Sequence, residues 1–249
     1  MPRFYLLDGS LLPDSREVTL LGEDARHISL SLRMRVGDEI TVSNGAGRDY
    51  LCRLTSLLPD RVTAEVTASL PPKGEFPFPI HLYMAYPTGD KLDFIIEKAV
   101  ELGAATVTPF VSAHCVRRPP AEKTARLLER YNKIARAAAG QCGRAVLPTV
   151  GAPLSFEGML RAAKEAELAL FCYEGEGTLP LPTLLRDIPS PASVAVIIGS
   201  EGGFSSEEAA AAREAGCLPV GLGERILRCE TAPIVALSLL LYRYGFGVI

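Results

Sequence analysis

The rhythm of apolar and polar positions changes near residue 70. Before it, short stretches of two-residue alternation are separated by turns. Glu39-Ile40-Thr41-Val42-Ser43 leads into the turn Asn44-Gly45-Ala46-Gly47. Tyr50-Leu51-Cys52-Arg53-Leu54 and Arg61-Val62-Thr63-Ala64-Glu65-Val66 follow. Short strands with turn residues between them predict a small β-barrel over residues 1–70. Residues 69–79 (SLPPKGEFPFP) are proline-rich and read as a linker.

Beyond the linker, strands alternate with helices. Residues 81–85 predict a strand. Residues 91–102 predict a helix, with Leu92, Ile95, Ile96, Ala99 and Leu102 on one face and Gly103 closing it. Further strands are predicted at 106–111, 168–173, 194–198 and 218–222. Helices are predicted at 122–139, 155–166, 206–215 and 232–244, with a Gly- and Pro-rich loop over 174–193. This alternation predicts an α/β domain over residues 71–249, a mostly parallel sheet covered on both faces. The last helix is apolar nearly all round, at Ile234, Val235, Leu237, Leu239, Leu240 and Leu241. Such a helix needs cover on both sides, by the sheet and by a second subunit.

Composition narrows the class. The 249 residues are 48% hydrophobic and 22% charged, as in an ordinary globular protein. The net charge of −3 gives no whole-molecule field for nucleic acid. It hides an asymmetry, because residues 112–145 hold eight cations against two anions, a local +6 that leaves −9 elsewhere. Arg126, Arg130 and Lys133 share one helical face there, next to Arg117 and Arg144, so this segment is either a solvated face or a polyanion-binding surface. The N-terminus lacks the pattern of a signal peptide. The longest apolar stretch, residues 234–242, is shorter than the roughly 20 residues a membrane span needs. A cytoplasmic location is therefore expected. Six cysteines form no CxxC pair and the three histidines are scattered, so no metal site is expected.

Residues 198–208, IGSEGGFSSEE, join a strand to a helix through a glycine turn. A phosphate loop would carry Lys-Ser or Lys-Thr after its last glycine, and a dinucleotide loop would read GxGxxG. Here Phe204-Ser205 follows the glycines, and the internal Glu201 would repel phosphate. Ser205 and Glu208 fit a capping box, which occupies the first helical amides. The turn suits a neutral or cationic ligand better, and a dehydrogenase reading loses its support. Downstream, residues 222–232 (LGERILRCETA) lead into the last helix, with Thr231 as N-cap candidate and Pro233 in the first turn.

These two motifs, in this order, resemble the RsmE family of bacterial 16S ribosomal RNA methyltransferases in the SPOUT superfamily. EKAVELGAATVTPF, NKIARAAAGQCGRAVLP and HISLSLRMRVGDEITVSNGAGRDY add weaker similarity, so most of the chain is covered. The resemblance implies a PUA-like N-terminal barrel that binds RNA and a methyltransferase domain with a deep trefoil knot, assembled as a homodimer. It implies S-adenosylmethionine as cofactor and N3 of one uridine in 16S rRNA, free or in the small subunit, as target. Three positions depart from the family pattern: Ser200 where proline is usual, Gly140 where glutamate is usual, and His114 where arginine is usual.

Motif carry-over assigns Gly199, Gly202, Gly203, Leu222, Gly223, Ile226 and Leu227 to the cofactor. Cys172, Tyr173 and Glu174 would form a third wall. Glu201 and Glu230 are candidates to accept the N3 proton, to bind ribose hydroxyls or to cap a helix. Arg225 and Arg228 are candidates to stabilise charge on the uridine, with an Arg228–Glu230 ion pair as the alternative. For RNA the candidates are Arg33, Arg35, Arg117, Arg126, Arg130, Lys133 and Arg144. The rival reading is a non-catalytic RNA-binding protein on the same scaffold.

Overall fold

A computed structural model describes the chain except residues 8–10, 12–13, 72–74, 120 and 246–249, and leaves aside the side chain of Ala121. The chain divides into two compact units. The first comprises Met1–Glu75 with Ala139–Leu147, the second Phe76–Ala138 with Pro148–Ile249.

The first unit holds β1 (Arg3–Tyr5), β2 (Glu17–Leu21), α1 (Gly22–Arg26), β3 (Glu39–Ser43), β4 (Asp49–Leu57) and β5 (Arg61–Leu70). They form a five-stranded sheet in the order β1-β3-β4-β5-β2, antiparallel except where β1 runs parallel to β3. Alternate residues point into one core around Leu20, Ile40, Val42, Tyr50, Leu54 and Val62. The proline-rich segment does not read simply as a linker. Its residues 72–74 lie outside the described residues, and Glu75 is anchored: its carboxylate accepts from the Arg144 guanidinium and from the backbone N–H groups of Ala145 and Val146.

The second unit begins with β6 (Ile80–Ala85), α2 (Lys91–Glu101), β7 (Thr106–Val111) and α3 (Thr124–Cys142), whose last residues belong to the first unit. The short strands β8 (Thr149–Val150) and β9 (Leu154–Ser155) precede α4 (Phe156–Ala163). Then come β10 (Leu168–Cys172), β11 (Leu179–Pro180), α5 (Leu181–Asp187), β12 (Val194–Ile198), α6 (Ser206–Glu214), β13 (Leu218–Gly221) and α7 (Ala232–Leu240). The strands form one parallel sheet in the order β11-β13-β10-β12-β6-β7-β8, with β9 beside β7. β12 is buried at every position, as a central strand covered on both faces must be.

Two local expectations change. The loop at 174–193 contains β11 and α5, whose start is masked in the sequence by Pro180 and Pro182. Thr231 precedes α7 in helical conformation and makes no side-chain cap; its N–H instead donates to the Arg228 carbonyl at 2.9 Å.

Candidate active site

Neighbouring strands β13, β10, β12 and β6 all send their following loops to one edge of the sheet, where ligands of open parallel sheets bind. Those loops wall a cavity of about 670 Å³. Cys172, Tyr173 and Glu174 line it from β10, and Gly199, Glu201 and Gly203 from β12. Leu222, Gly223, Arg225, Ile226, Leu227 and Arg228 line it from the segment after β13. Gly202 and Glu230 stand outside the lining. Lys91, Thr178, Ser200, Phe204, Glu224 and Cys229 also line it, beside the apolar Ile198, Val220, Gly221 and Ala232, and sequence reasoning had named none of them as cofactor residues.

The glycine turn owes its shape to a core anchor and a clamp. Phe204 sits 4.3 Å from the Phe171 ring centroid in the buried cluster that also holds Phe110 and Phe156. The helix behind it opens with a complete capping box: the Ser205 hydroxyl accepts from Glu208 N–H and the Glu208 carboxylate from Ser205 N–H. The same carboxylate accepts from Ala113 N–H at 2.7 Å, and His114 Nδ1 lies 2.8 Å from the Gly202 carbonyl. A Cβ on Gly202 would stand 2.8 Å from His114 Cβ, and Gly203 has φ +65°, so side chains are excluded at both. Ser200 is buried, and its hydroxyl is the one buried side-chain polar atom among the described residues without a hydrogen-bond partner. A proline there would remove that orphan group.

Glu201 is committed. One of its oxygens accepts from Thr88 N–H at 3.0 Å, Thr88 Oγ1 at 2.7 Å and Lys91 Nζ at 2.9 Å. Burial raises this carboxyl, but the hydrogen bonds from Lys91 and Thr88 outweigh it and hold it at about 2. That makes Glu201 a poor proton acceptor. Lys91 also lies 3.4 Å from Glu230 Oε2 and donates to Cys229 Sγ at 3.8 Å. Its bond to Glu201 raises its own pKa, so it stays charged. Burial resists ionisation of Glu230, yet the backbone N–H, the Cys229 thiol and Lys91 together lower its carboxyl. The Cys229 thiol is pushed up to about 12, chiefly by burial and by its bond to Glu230, and desolvation pushes the half-buried Cys172 thiol up to about 12 as well. Neither thiol ionises at neutral pH.

The alternative Arg228–Glu230 ion pair does not form: Glu230 pairs with Lys91. Arg225 and Arg228 are exposed and make no side-chain hydrogen bond or ion pair among the described residues. The cavity therefore carries two unspent guanidiniums. Glu174 adds an exposed carboxylate with no hydrogen bond or ion pair among the described residues, its Oε1 lying beside Gly203.

The RNA candidates separate. Arg33 and Arg35 are exposed on the first unit, and Arg33 alone among described non-glycine residues has positive φ, at +51°. Arg117 and Arg126 are exposed without a partner among the described residues. Arg130 makes a bidentate pair with Asp93 on α2, at 2.8 and 2.9 Å, and Lys133 pairs with Glu129. Arg144 needs correcting as an RNA contact. Its side chain is 6% exposed and held by Glu75 at 2.8 Å, while its carbonyl accepts from Tyr5. The local excess of charge was thus partly neutralised by acids outside residues 112–145.

The family model described as an RNA methyltransferase domain matches residues 74–241, and the one described as an RNA methyltransferase PUA domain matches residues 20–67. Fold and site thus define an RNA methyltransferase. Ribosomal RNA small subunit methyltransferase E of Bacillus subtilis is 32% identical over 248 residues, covering 98% of this chain and 97% of that protein. The protein of that name from Synechocystis is 34% identical over 222 residues, covering 89% of this chain and 71% of its own. The structure of that enzyme from Neisseria gonorrhoeae, bound to S-adenosylmethionine, superposes with a TM-score of 0.86 at 31% identity, covering 99% of this chain and all of the other. The chain belongs to the ribosomal RNA small subunit methyltransferase E family.

Proposed function

We propose that this protein methylates N3 of one uridine in 16S rRNA, using S-adenosylmethionine. The observation that carries the reading is the pair of unspent guanidiniums, Arg225 and Arg228, on the wall of the glycine-loop cavity.

The residues present fit the cofactor. Gly199, Gly203 and Gly223 keep side chains away from the wall, and Glu174 offers a carboxylate to a cationic ligand. When bound, S-adenosylmethionine supplies an electrophilic methyl group on a sulfonium. The chain supplies alignment and charge, which govern an in-line displacement. Uridine N3 must lose its imide proton, and the resulting charge spreads onto O2 and O4. Arg228, with Arg225 beside it, meets that charge as an oxyanion donor would. Glu201 is spent on Thr88 and Lys91, Glu230 on Lys91, and the nearby thiols stay protonated, so these groups do not serve as the base and proton loss to water with arginine stabilisation is favoured.

The rest of the reading follows from the family. Residues 1–70 form the RNA-binding domain and residues 71–249 the methyltransferase domain, with the cofactor held in a deep trefoil knot. Arg33, Arg35, Arg117 and Arg126 approach phosphates. A homodimer covers the half-buried Ile234, Val235 and Leu239 of α7. The substrate places the protein in the cytoplasm. Calorimetry with S-adenosylmethionine tests the site: micromolar binding is expected, and no binding would favour a non-catalytic RNA-binding role.

A further inference from the structure

Lys91 is the first residue of α2, 110 residues from Glu201 and 139 from Glu230. An ammonium has three N–H donors. Here they face three acceptors, Glu201 Oε1 at 2.9 Å, Glu230 Oε2 at 3.4 Å and Cys229 Sγ at 3.8 Å. Lys91 therefore has no donor left for a substrate. It is the one cation among the described residues whose ion pairs reach both motifs, the glycine turn and the segment after β13.

Glu230 stands two residues after Arg228, and Lys91 is the one cation paired with it among the described residues. Its carboxylate takes Lys91, and Arg228, the cation nearest to it in the chain, is left unpaired among the described residues. If it took Arg228, the guanidinium would be neutralised and lost to the uridine. We infer that Lys91 is a positioning residue for methyl transfer: by holding Glu230, it keeps Arg228 free to face the substrate. The inference rests on the reading that Arg228 acts on the uridine. It assigns Glu230 no contact with substrate; the carboxylate is a charge that has to be kept elsewhere.

The consequence is suppression. In Lys91→Met, Glu230 loses its cation and turns to Arg228. Removing the charge of Glu230 in the same chain takes away the carboxylate nearest to Arg228 in sequence, while Glu201 keeps its bonds from Thr88 N–H and Thr88 Oγ1. A loss that came only from loosened packing around Lys91 would gain nothing from that second change.

The experiment compares wild type, K91M and K91M/E230Q. Single-turnover methyl transfer to 16S rRNA is measured with S-adenosylmethionine saturating, and cofactor Kd is measured by calorimetry. K91M is expected to slow transfer about tenfold or more, and K91M/E230Q to return it to within about threefold of wild type. K91M at the wild-type rate, or a double variant no faster than K91M, overturns the inference. If circular dichroism shows that K91M does not fold, K91Q and K91Q/E230Q carry the same comparison, because glutamine keeps a donor for Glu201. A wild-type protein that neither binds the cofactor nor transfers methyl sinks the functional reading itself, which is distinct from failure of the Lys91 role.

Discussion

Replacing Glu201 by glutamine tests whether this carboxylate is a structural clamp. In the native fold one oxygen gathers Thr88 N–H, Thr88 Oγ1 and Lys91 Nζ within 3.0 Å. Those bonds hold the carboxyl at about 2 against an ordinary 4.5. At about 1.4 kcal/mol per pH unit, that displacement corresponds to about 3 kcal/mol. The side chain is 30% exposed, so solvent screening reduces its contribution to about 1–2 kcal/mol. Because the folded pKa is depressed, the contribution is complete above the unfolded value of 4.5 and disappears as pH falls through about 2. Urea unfolding followed by circular dichroism suits a chain without tryptophan. E201Q is expected to be less stable than wild type by about 1–2 kcal/mol at pH 7, and the gap is expected to fall below about half of that by pH 3. Other carboxylates titrate in both proteins and cancel in the difference. A gap that stays constant from pH 7 to pH 3, or no gap at all, would refute the clamp.

Three further outcomes are expected. Arg228→Ala keeps S-adenosylmethionine binding in calorimetry but loses about a hundredfold or more in single-turnover transfer, as removal of an oxyanion donor does; a full rate removes Arg228 from the mechanism. Ser200→Ala deletes a buried hydroxyl that has no partner, so stability rises by about 1 kcal/mol, read as a thermal midpoint about 2–4 °C higher; a lower midpoint contradicts it. Arg126→Ala flattens the salt dependence of RNA affinity by about one phosphate contact, whereas Arg144→Ala breaks a buried ion pair and costs about 3–5 kcal/mol of stability; the opposite assignment of these two effects would overturn the description of the basic segment.

The chain made its local signals legible. The strand, glycine turn and capped helix at residues 194–214 could be read because every determinant lies within a few positions: an apolar run, the glycines, Ser205 and Glu208. The spacing of Leu92, Ile95, Ile96 and Ala99 placed α2 for the same reason. What stayed hidden depends on partners distant in the chain. Nothing near Glu201 announces Thr88 and Lys91, and nothing near Arg130 announces Asp93. Arg144 looked like one more surface cation until Glu75 enclosed it. The motifs pointed to the cavity, but which of its charges are spent and which are free is a tertiary fact. It changes the chemistry: Glu201 leaves the list of bases, and Arg228 stands unpaired.

The central claim is that the free arginines serve methyl transfer to a uridine. It is tested most directly by mass-spectrometric mapping of 16S rRNA from cells with and without the gene. Purified protein and S-adenosylmethionine are then added back to the unmodified RNA or small subunit. The expected result is N3-methyluridine at one position, absent without the protein and restored by wild type but not by Arg228→Ala. Identical uridine maps with and without the protein would contradict the account.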